Sequence, residues 1–176
     1  MIGLLQTAGT LMGLSDNVWR RHSNPWSVYT RMFTALPLLL LAVWSRVWLG
    51  WWALLPVFLA VAWIWLNPRA FPEPARQDAW ATRGVMGERI FLSHGAEIAA
   101  HHRRMATILS WLSVPGALVM VWGLVALWWE GAVFGMILTG LPKVWFVDRM
   151  VWVHDDWRRS GRPVPGFDRT DEGKMK

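Results

Sequence analysis

The sequence has no cysteine, one tyrosine and few acidic residues. Without cysteine, the chain can form no disulfide, no thiolate metal site and no cysteine nucleophile. Its 12 Asp and Glu residues stand against 18 Lys and Arg residues, which gives a formal net charge of +6. The nucleotide-binding glycine loop, the nucleophile elbow and the HExxH zinc motif are also missing. The sequence therefore indicates none of the enzyme classes that these signatures mark.

What the sequence has in excess is apolar and tryptophan content. Hydrophobic residues make up 54% of the chain, and 16 residues are tryptophan. In membrane proteins tryptophan collects at the two bilayer interfaces, so its abundance requires no haem or pigment. The basic residues flank the apolar runs instead of forming a separate patch. We therefore expect the lipid bilayer as the partner and no nucleic acid.

Four apolar runs predict an all-α membrane protein with four transmembrane helices in two hairpins. The spans fall at about residues 32–49, 52–66, 107–129 and 132–152. A span needs about 20 apolar residues to cross roughly 30 Å of hydrocarbon. Gly50 and the pair Glu130-Gly131 form the short turns within the hairpins. A small-residue stripe on the fourth span (Gly131, Gly135, Thr139 and Pro142) predicts close approach of a neighbouring helix.

The remaining segments are predicted to lie on the membrane surface or in the cytoplasm. Residues 1–14 form an amphipathic pattern typical of an interfacial helix. Residues 69–104 make a helical connector, with a helix over about 78–105 interrupted near Gly84, Gly87 and Gly95. Asn24-Pro25 is a helix start, and Asn67-Pro68 is a helix end. Residues 1–157 are thus one transmembrane domain, and residues 158–176 a flexible basic tail.

The distribution of Lys and Arg predicts the orientation. The N-terminal region carries three of the 18, the segment 69–104 six, and the region after Met150 six. The two short turns hold only Arg46. By the positive-inside rule, both termini and the connector are cytoplasmic, and the protein is a multi-pass protein of the cell (inner) membrane.

Lys143 interrupts the fourth span and indicates a buried polar network at its cytoplasmic end. An ionisable residue within a span normally faces a protein partner or a wet cavity. Glu88, Glu97 or a backbone carbonyl can pair with Lys143, and Arg31, Arg69 or Arg89 with Asp148. On this interpretation Lys143→Met is nearly as damaging as Lys143→Ala, whereas a lysine that reaches the headgroups tolerates methionine. The predicted network comprises Lys143, Asp148, Arg149, Glu88, Arg89, Asn67, Arg69 and Asn24.

Histidines and carboxylates of the connector form the second candidate site. On a continuous helix His94, Glu97 and His101 lie on one face, and imidazole with carboxylate suits a divalent metal. The segment His154-Asp155-Asp156 can complete the ligand shell from the last helix. The predicted metal ligands are His94, Glu97, His101, His102 and His154. Gly95 argues against this set because it breaks the helix, which leaves interfacial hydrogen bonding and lipid contact as the alternative.

Several short motifs resemble those of a family of small prokaryotic integral-membrane proteins of unknown function. They are WRRHSNPWS at residues 19–27, LNPR at 66–69, GER at 87–89, the pair His101-His102, and FVDR at 146–149. The resemblance extends over about residues 16–156 and implies a membrane location without an activity. We therefore expect a structural or accessory subunit that forms a homo-oligomer or joins a different partner in a membrane complex. The alternative is a metal-dependent membrane enzyme or ion-handling protein that uses the histidine cluster.

Overall fold

The computed structural model describes residues 15–168, and every regular element in that range is helical. The elements are α1 (Asp16–His22), α2 (Pro25–Trp44), α3 (Arg46–Leu49), a 3-10 turn (Gly50–Ala53), α4 (Leu54–Ala70), α5 (Trp80–Ser93), α6 (Ala100–Val125) and α7 (Trp129–Arg159). The predicted all-α class agrees with this architecture. The interfacial helix expected at residues 1–14 lies outside the described residues.

Helices α2 and α4 form a hairpin. Asn24 caps α2, because its side-chain oxygen accepts a hydrogen bond from the backbone N–H of Trp26 at 2.9 Å. The chain reverses near Gly50, whose φ of +53° suits glycine. At the far end of the hairpin, Asn67 of α4 donates to the Thr30 hydroxyl of α2 at 2.9 Å. The end of α4 therefore lies beside the start of α2.

Helix α4 is longer than its sequence predicts. The Asn67-Pro68 pair was expected to end it, but the helix continues to Ala70. Near this end, the guanidinium of Arg69 donates to the carbonyl of Trp65 at 2.7 Å. This bond adds one side-chain contact between the last two turns of the helix.

Helices α6 and α7 pack closely through small residues. A methyl group on Gly123 would come 2.3 Å from the backbone nitrogen of Ala132, and one on Gly135 would come 2.2 Å from that of Met120. A methyl group on Gly116 would meet the backbone of α7 at 2.6 Å. Gly135, a member of the predicted small-residue stripe, therefore faces α6 and lets the two backbones touch.

Helix α5 uses glycine in the same way against α7. A methyl group on Gly87 would lie 1.8 Å from the carbonyl oxygen of Met150, and one on Gly84 would lie 2.6 Å from the Val147 side chain. The helix runs without interruption through both glycines. The predicted interruptions at Gly84 and Gly87 are therefore wrong, and the chain leaves helical structure only around Gly95. Close packing, not flexibility, accounts for the two earlier glycines.

Three helical segments are long and apolar enough to cross a membrane. They are Pro25–Ala70 (46 residues), Ala100–Val125 (26 residues) and Trp129–Arg159 (31 residues). The first of these contains the α2–α4 hairpin. Large apolar side chains are exposed along all three, among them Trp51 at 87% and Phe58 at 67%. An apolar exterior of this extent is typical of a protein surrounded by lipid.

Both short turns lie at the same end of the molecule. The guanidinium of Arg46, next to the first turn, donates to the carbonyl of Leu124 at the end of α6. The ring of Trp44 lies 5.0 Å from that of Trp129, at the start of α7. The opposite end of the molecule therefore holds the C-terminal ends of α1, α4 and α5 and the N-terminal end of α6. This end carries the polar side chains of the candidate site.

The segment after α7 is folded against the helices. Val164 and Phe167 are buried, with 1% and 8% of their surfaces exposed. The indole N–H of Trp157 donates to the carbonyl of Pro163 at 3.0 Å. The flexible tail predicted from residue 158 is therefore wrong up to residue 168, because two apolar side chains anchor the chain to the core. Residues 169–176 lie outside the described range.

Candidate functional site

A series of buried and partly buried hydrogen bonds joins α1, α2 and α4 at the polar end. The Arg31 guanidinium contacts Nε2 of His22 at 2.5 Å, and Nδ1 of His22 lies 3.3 Å from the Ser27 hydroxyl. The Ser27 hydroxyl donates to the side-chain oxygen of Asn67 at 3.0 Å, and the Asn67 amide donates to Thr30 at 2.9 Å. Spacings of three and four residues place Ser27, Thr30 and Arg31 on one face of α2. We call these five residues the α1–α2–α4 network.

The direction of each hydrogen bond in this network follows from its chemistry. A guanidinium only donates, so Nε2 of His22 must accept from Arg31 and the ring proton must sit on Nδ1. Nδ1–H then donates to Ser27, Ser27 to Asn67, and Asn67 to Thr30, whose hydroxyl donates to the carbonyl of Trp26 at 2.6 Å. Each of these hydrogen bonds therefore joins one donor to one acceptor.

His22 is held neutral in this arrangement. Burial, and then the positive charge of Arg31, lower the pKa of His22 well below its ordinary value of 6.5. Its only lone pair points at Arg31, so His22 cannot take a proton from Ser27. The Ser-His pair is therefore not an activated nucleophile, and the network serves to hold three helices together.

The predicted polar network is only partly brought together. Asn67 belongs to the α1–α2–α4 network, and Glu88 lies on α5 without an ion pair to the residues that the structure describes. Arg89 instead pairs with Asp16 at 2.6 Å, and the Asn24 amide donates to the carbonyl of Pro72 at 3.0 Å. These four predicted residues lie at the polar end and do not form one network.

The other members of that prediction lie elsewhere. Asp148 accepts a hydrogen bond from the indole of Trp80 at 2.9 Å and forms no ion pair with the residues that the structure describes. The guanidinium of Arg149 lies 4.9 Å from the Trp152 ring, and that of Arg69 lies 4.0 Å from the Trp65 ring. Proximity to a tryptophan ring is the common feature of these two arginines.

Lys143 is placed differently from its prediction. Its side chain is exposed, and it forms no ion pair with the residues that the structure describes. Nζ lies 5.5 Å from the ring of Phe146, one turn toward the polar end of α7. The predicted inward pairing of Lys143 is therefore wrong within this chain. Its long aliphatic stem lets the ammonium lie along the helix surface, toward the polar end of α7.

The predicted metal ligands are separated in the same way. His94 bonds to the Ser93 hydroxyl at 2.9 Å, and Glu97 pairs with Arg162 at 2.8 Å. His154 bonds to its neighbour Asp155 at 2.9 Å. The helix is broken between Ser93 and Ala100, so residues 94, 97 and 101 do not share one helical face. The predicted set is therefore wrong as a single site.

Two of the five predicted ligands do come together with a residue of α7. His101, His102 and Asp156 each offer a ligand atom, and these atoms lie within 4.8 Å of one another. Nε2 of His102 lies 2.9 Å from Oδ2 of Asp156, and the two imidazole rings are 4.0 Å apart. The other carboxylate oxygen of Asp156 accepts from Arg159 at 2.7 Å. We call these three residues the His-His-Asp cluster.

Two cavities adjoin these polar groups. One of about 720 Å³ is a mainly apolar groove between α6 and α7, with Trp80 and Asp148 at its border. The other, of about 120 Å³, is lined by His102 and Asp156 and also by Glu97 and Arg162. The smaller cavity lies beside two members of the His-His-Asp cluster and is large enough to hold water.

Sequence reasoning missed most of the α1–α2–α4 network. Ser27, Thr30 and Arg31 follow the Asn24-Pro25 helix start at spacings of three, six and seven residues, which puts them on one helical face. That spacing was the available signal. Their partners His22 and Asn67 could not be assigned from it, because Asn67 lies 40 residues beyond Ser27.

Comparison with curated proteins and with solved structures finds no match. A family model does match, over residues 6–170, and its description is a family of unknown function (DUF6653). The match spans nearly all of the chain, including every helix described above. The chain belongs to this family of unknown function.

Proposed function

We propose that this protein is a four-span integral membrane protein that acts as a structural or accessory component of its membrane. The observation that carries the proposal is the contrast between the apolar exterior of the long helices and the polar network at one end of the protein. The long helices expose apolar side chains, whereas the α1–α2–α4 network satisfies its polar groups internally. A site that has already paired its donors and acceptors supports packing better than catalysis.

The hairpin geometry supports four spans. Helix α2 has 20 residues and α4 has 17, so each is about 25–30 Å long at 1.5 Å per residue. Each arm alone is therefore close to the thickness of the hydrocarbon core. Helices α6 and α7, with 26 and 31 residues, are longer still. Two hairpins bring both chain ends to one side.

The charge distribution supports a cytoplasmic polar end in the inner membrane. The connector and the segment after α7 hold most of the basic residues, whereas Arg46 is the only Lys or Arg near the two short turns. A polar end with its termini in the cytoplasm can contact a partner subunit or a second copy.

Single-cysteine labelling tests the topology, since the natural chain has no cysteine. We expect Trp51→Cys and Glu130→Cys to react with an impermeant maleimide added to intact cells. Arg76→Cys, in the exposed loop before α5, should react only after the cells are permeabilised. Labelling of position 76 in intact cells would overturn the orientation, and protection of position 51 or 130 would overturn the span count.

Blue-native electrophoresis of gently solubilised native membranes tests the accessory role. We expect the protein in a band that contains further copies or other polypeptides in fixed ratio. A protein that migrates only as a monomer, in several mild detergents, would contradict this role. The α1–α2–α4 variants described in the Discussion serve as destabilised controls.

A further inference from the structure

The His-His-Asp cluster has the composition of a metal site. Two imidazoles and one carboxylate are ligands that Zn²⁺ and Fe²⁺ bind in proteins. His101 and His102 come from the first turn of α6, and Asp156 comes from the last turns of α7. Their ligand atoms are within 4.8 Å of one another. Tight packing of α6 against α7 therefore fixes the position of the cluster.

Hydrogen bonding within the chain does not complete this cluster. His102 is 1% exposed, and its Nδ1 has no hydrogen-bond partner among residues 15–168. The equally buried His22 differs, because both of its ring nitrogens have partners. A buried nitrogen without a partner is uncommon and indicates a missing water or other partner at Nδ1. Nε2, on the other side of the ring, faces Asp156 and is therefore the atom that His102 offers to the cluster. The cavity of about 120 Å³ beside His102 and Asp156 gives space for a water molecule.

The charges around the cluster are compatible with a cation. Asp156 supplies a negative charge, and Arg159 binds only its Oδ1 atom, which leaves Oδ2 directed at His102. An outer partner of this kind orients a ligating carboxylate. The partial positive charge at the N-terminal end of α6 and the full charge of Arg159 both oppose a cation, so the ion would depend on Oδ2 of Asp156 and on the two neutral imidazoles.

We propose that His101, His102 and Asp156 bind one divalent transition-metal ion, with Zn²⁺ as the expected ion. Three protein ligands leave a fourth position, which water in the adjoining cavity can occupy. The site differs from the one that the sequence predicted, because His94, Glu97 and His154 have other partners. It goes beyond the proposed structural role and does not depend on it.

The test is Zn²⁺ binding to the full-length, detergent-purified protein, prepared with an affinity tag that lacks histidine. Equilibrium dialysis with elemental analysis gives the stoichiometry, and Co²⁺ as a substitute gives the visible absorption of a tetrahedral site. We expect one ion per chain in the natural protein. His101→Ala and Asp156→Asn should each weaken binding by at least about tenfold.

His94→Ala is the matched control, since it removes a nearby histidine that is outside the cluster. It should bind like the natural protein. His101 and Asp156 are both exposed, so their variants should keep the helical circular dichroism and melting temperature of the natural protein. Absence of stoichiometric binding would overturn the proposal. Binding that survives in both His101→Ala and Asp156→Asn, or that is lost in His94→Ala, would overturn the ligand assignment.

Discussion

Replacement of Lys143 by methionine separates two interpretations of the apolar helix α7. If the Lys143 ammonium were paired inside the bundle, its removal would leave the partner's charge buried and unpaired, at a cost of roughly 3–5 kcal/mol. The structure places Lys143 on the exposed face of α7, so Lys143→Met removes a charge and strands nothing. An exposed substitution usually changes the free energy of unfolding by less than about 0.5 kcal/mol. We therefore expect stability equal to or above that of the natural protein.

The depth of Lys143 sets the direction of any remaining effect. It lies nine residues before Trp152, which is about 13 Å at 1.5 Å per residue. Lysine near the centre of a span is unfavourable by roughly 2.5–3.5 kcal/mol on membrane-insertion scales, and apolar residues are favourable. Methionine should therefore improve insertion and leave the melting temperature unchanged or raised.

The assay is thermal unfolding in one detergent, with Arg31→Met as the matched control. For a chain of this length, about 1 kcal/mol corresponds to roughly 2–4 °C. Arg31→Met breaks the α1–α2–α4 network and should lower the melting temperature by several degrees. A comparable loss in Lys143→Met would refute the reasoning. It would indicate a carboxylate partner from a second copy or another subunit.

Three further predictions concern packing and the α1–α2–α4 network. Gly87→Ala should prevent normal folding, because its methyl group would lie 1.8 Å from a backbone oxygen of α7, whereas Gly140→Ala meets nothing within 4 Å and should keep a natural yield of folded protein. Burial holds the pKa of His22 well below 6.5, so below about pH 6.5 the unfolded chain binds a proton that the folded chain does not. Stability should therefore fall as the pH drops below 6.5, and His22→Gln should flatten the plot of melting temperature against pH; an unchanged plot would contradict this. Ser27→Ala and Asn67→Ala should each cost about 1–3 kcal/mol, and the double variant should cost less than their sum, since both remove the same hydrogen bond; additive costs would show that this bond contributes nothing.

The helix positions could be predicted from the sequence where local signals decide them. Asn24 does cap a helix, and the chain does turn at Gly50, because caps and glycine turns depend on a few neighbouring residues. Gly84 and Gly87 could not be interpreted in this way, because local sequence does not show why a glycine is present. Glycine marks either a break or a close approach, and only the position of α7 decides between them.

The orientation of Lys143 could not be predicted for a related reason. Pro142 is buried, and the next residue on a helix points about 100° away from it. A small-residue stripe that includes Pro142 therefore shows which face meets α6, without showing whether any neighbour covers Lys143. The exposure of Lys143 depends on how far the neighbouring helices extend along α7. The sequence around Lys143 does not show how far they extend.

The metal ligands show the limit of spacing arguments. The predicted set required one continuous helix from residue 94 to 101, and the break around Gly95 removes that condition. The residue that does meet His102 is Asp156, which lies 54 positions later in the chain. A contact of that separation depends on the packing of α6 against α7, so the spacing within either segment could only suggest it.

The two polar clusters differ in one physical respect that separates their roles. In the α1–α2–α4 network each ring nitrogen of His22 has a partner, whereas Nδ1 of His102 has none among the described residues. Loss of a satisfied internal bond lowers stability because it strands a buried group. Loss of an exposed ligand such as His101 strands nothing, so it should change metal binding and leave the melting temperature in place. Variants of the first cluster should thus report on folding and variants of the second on binding, within the same chain.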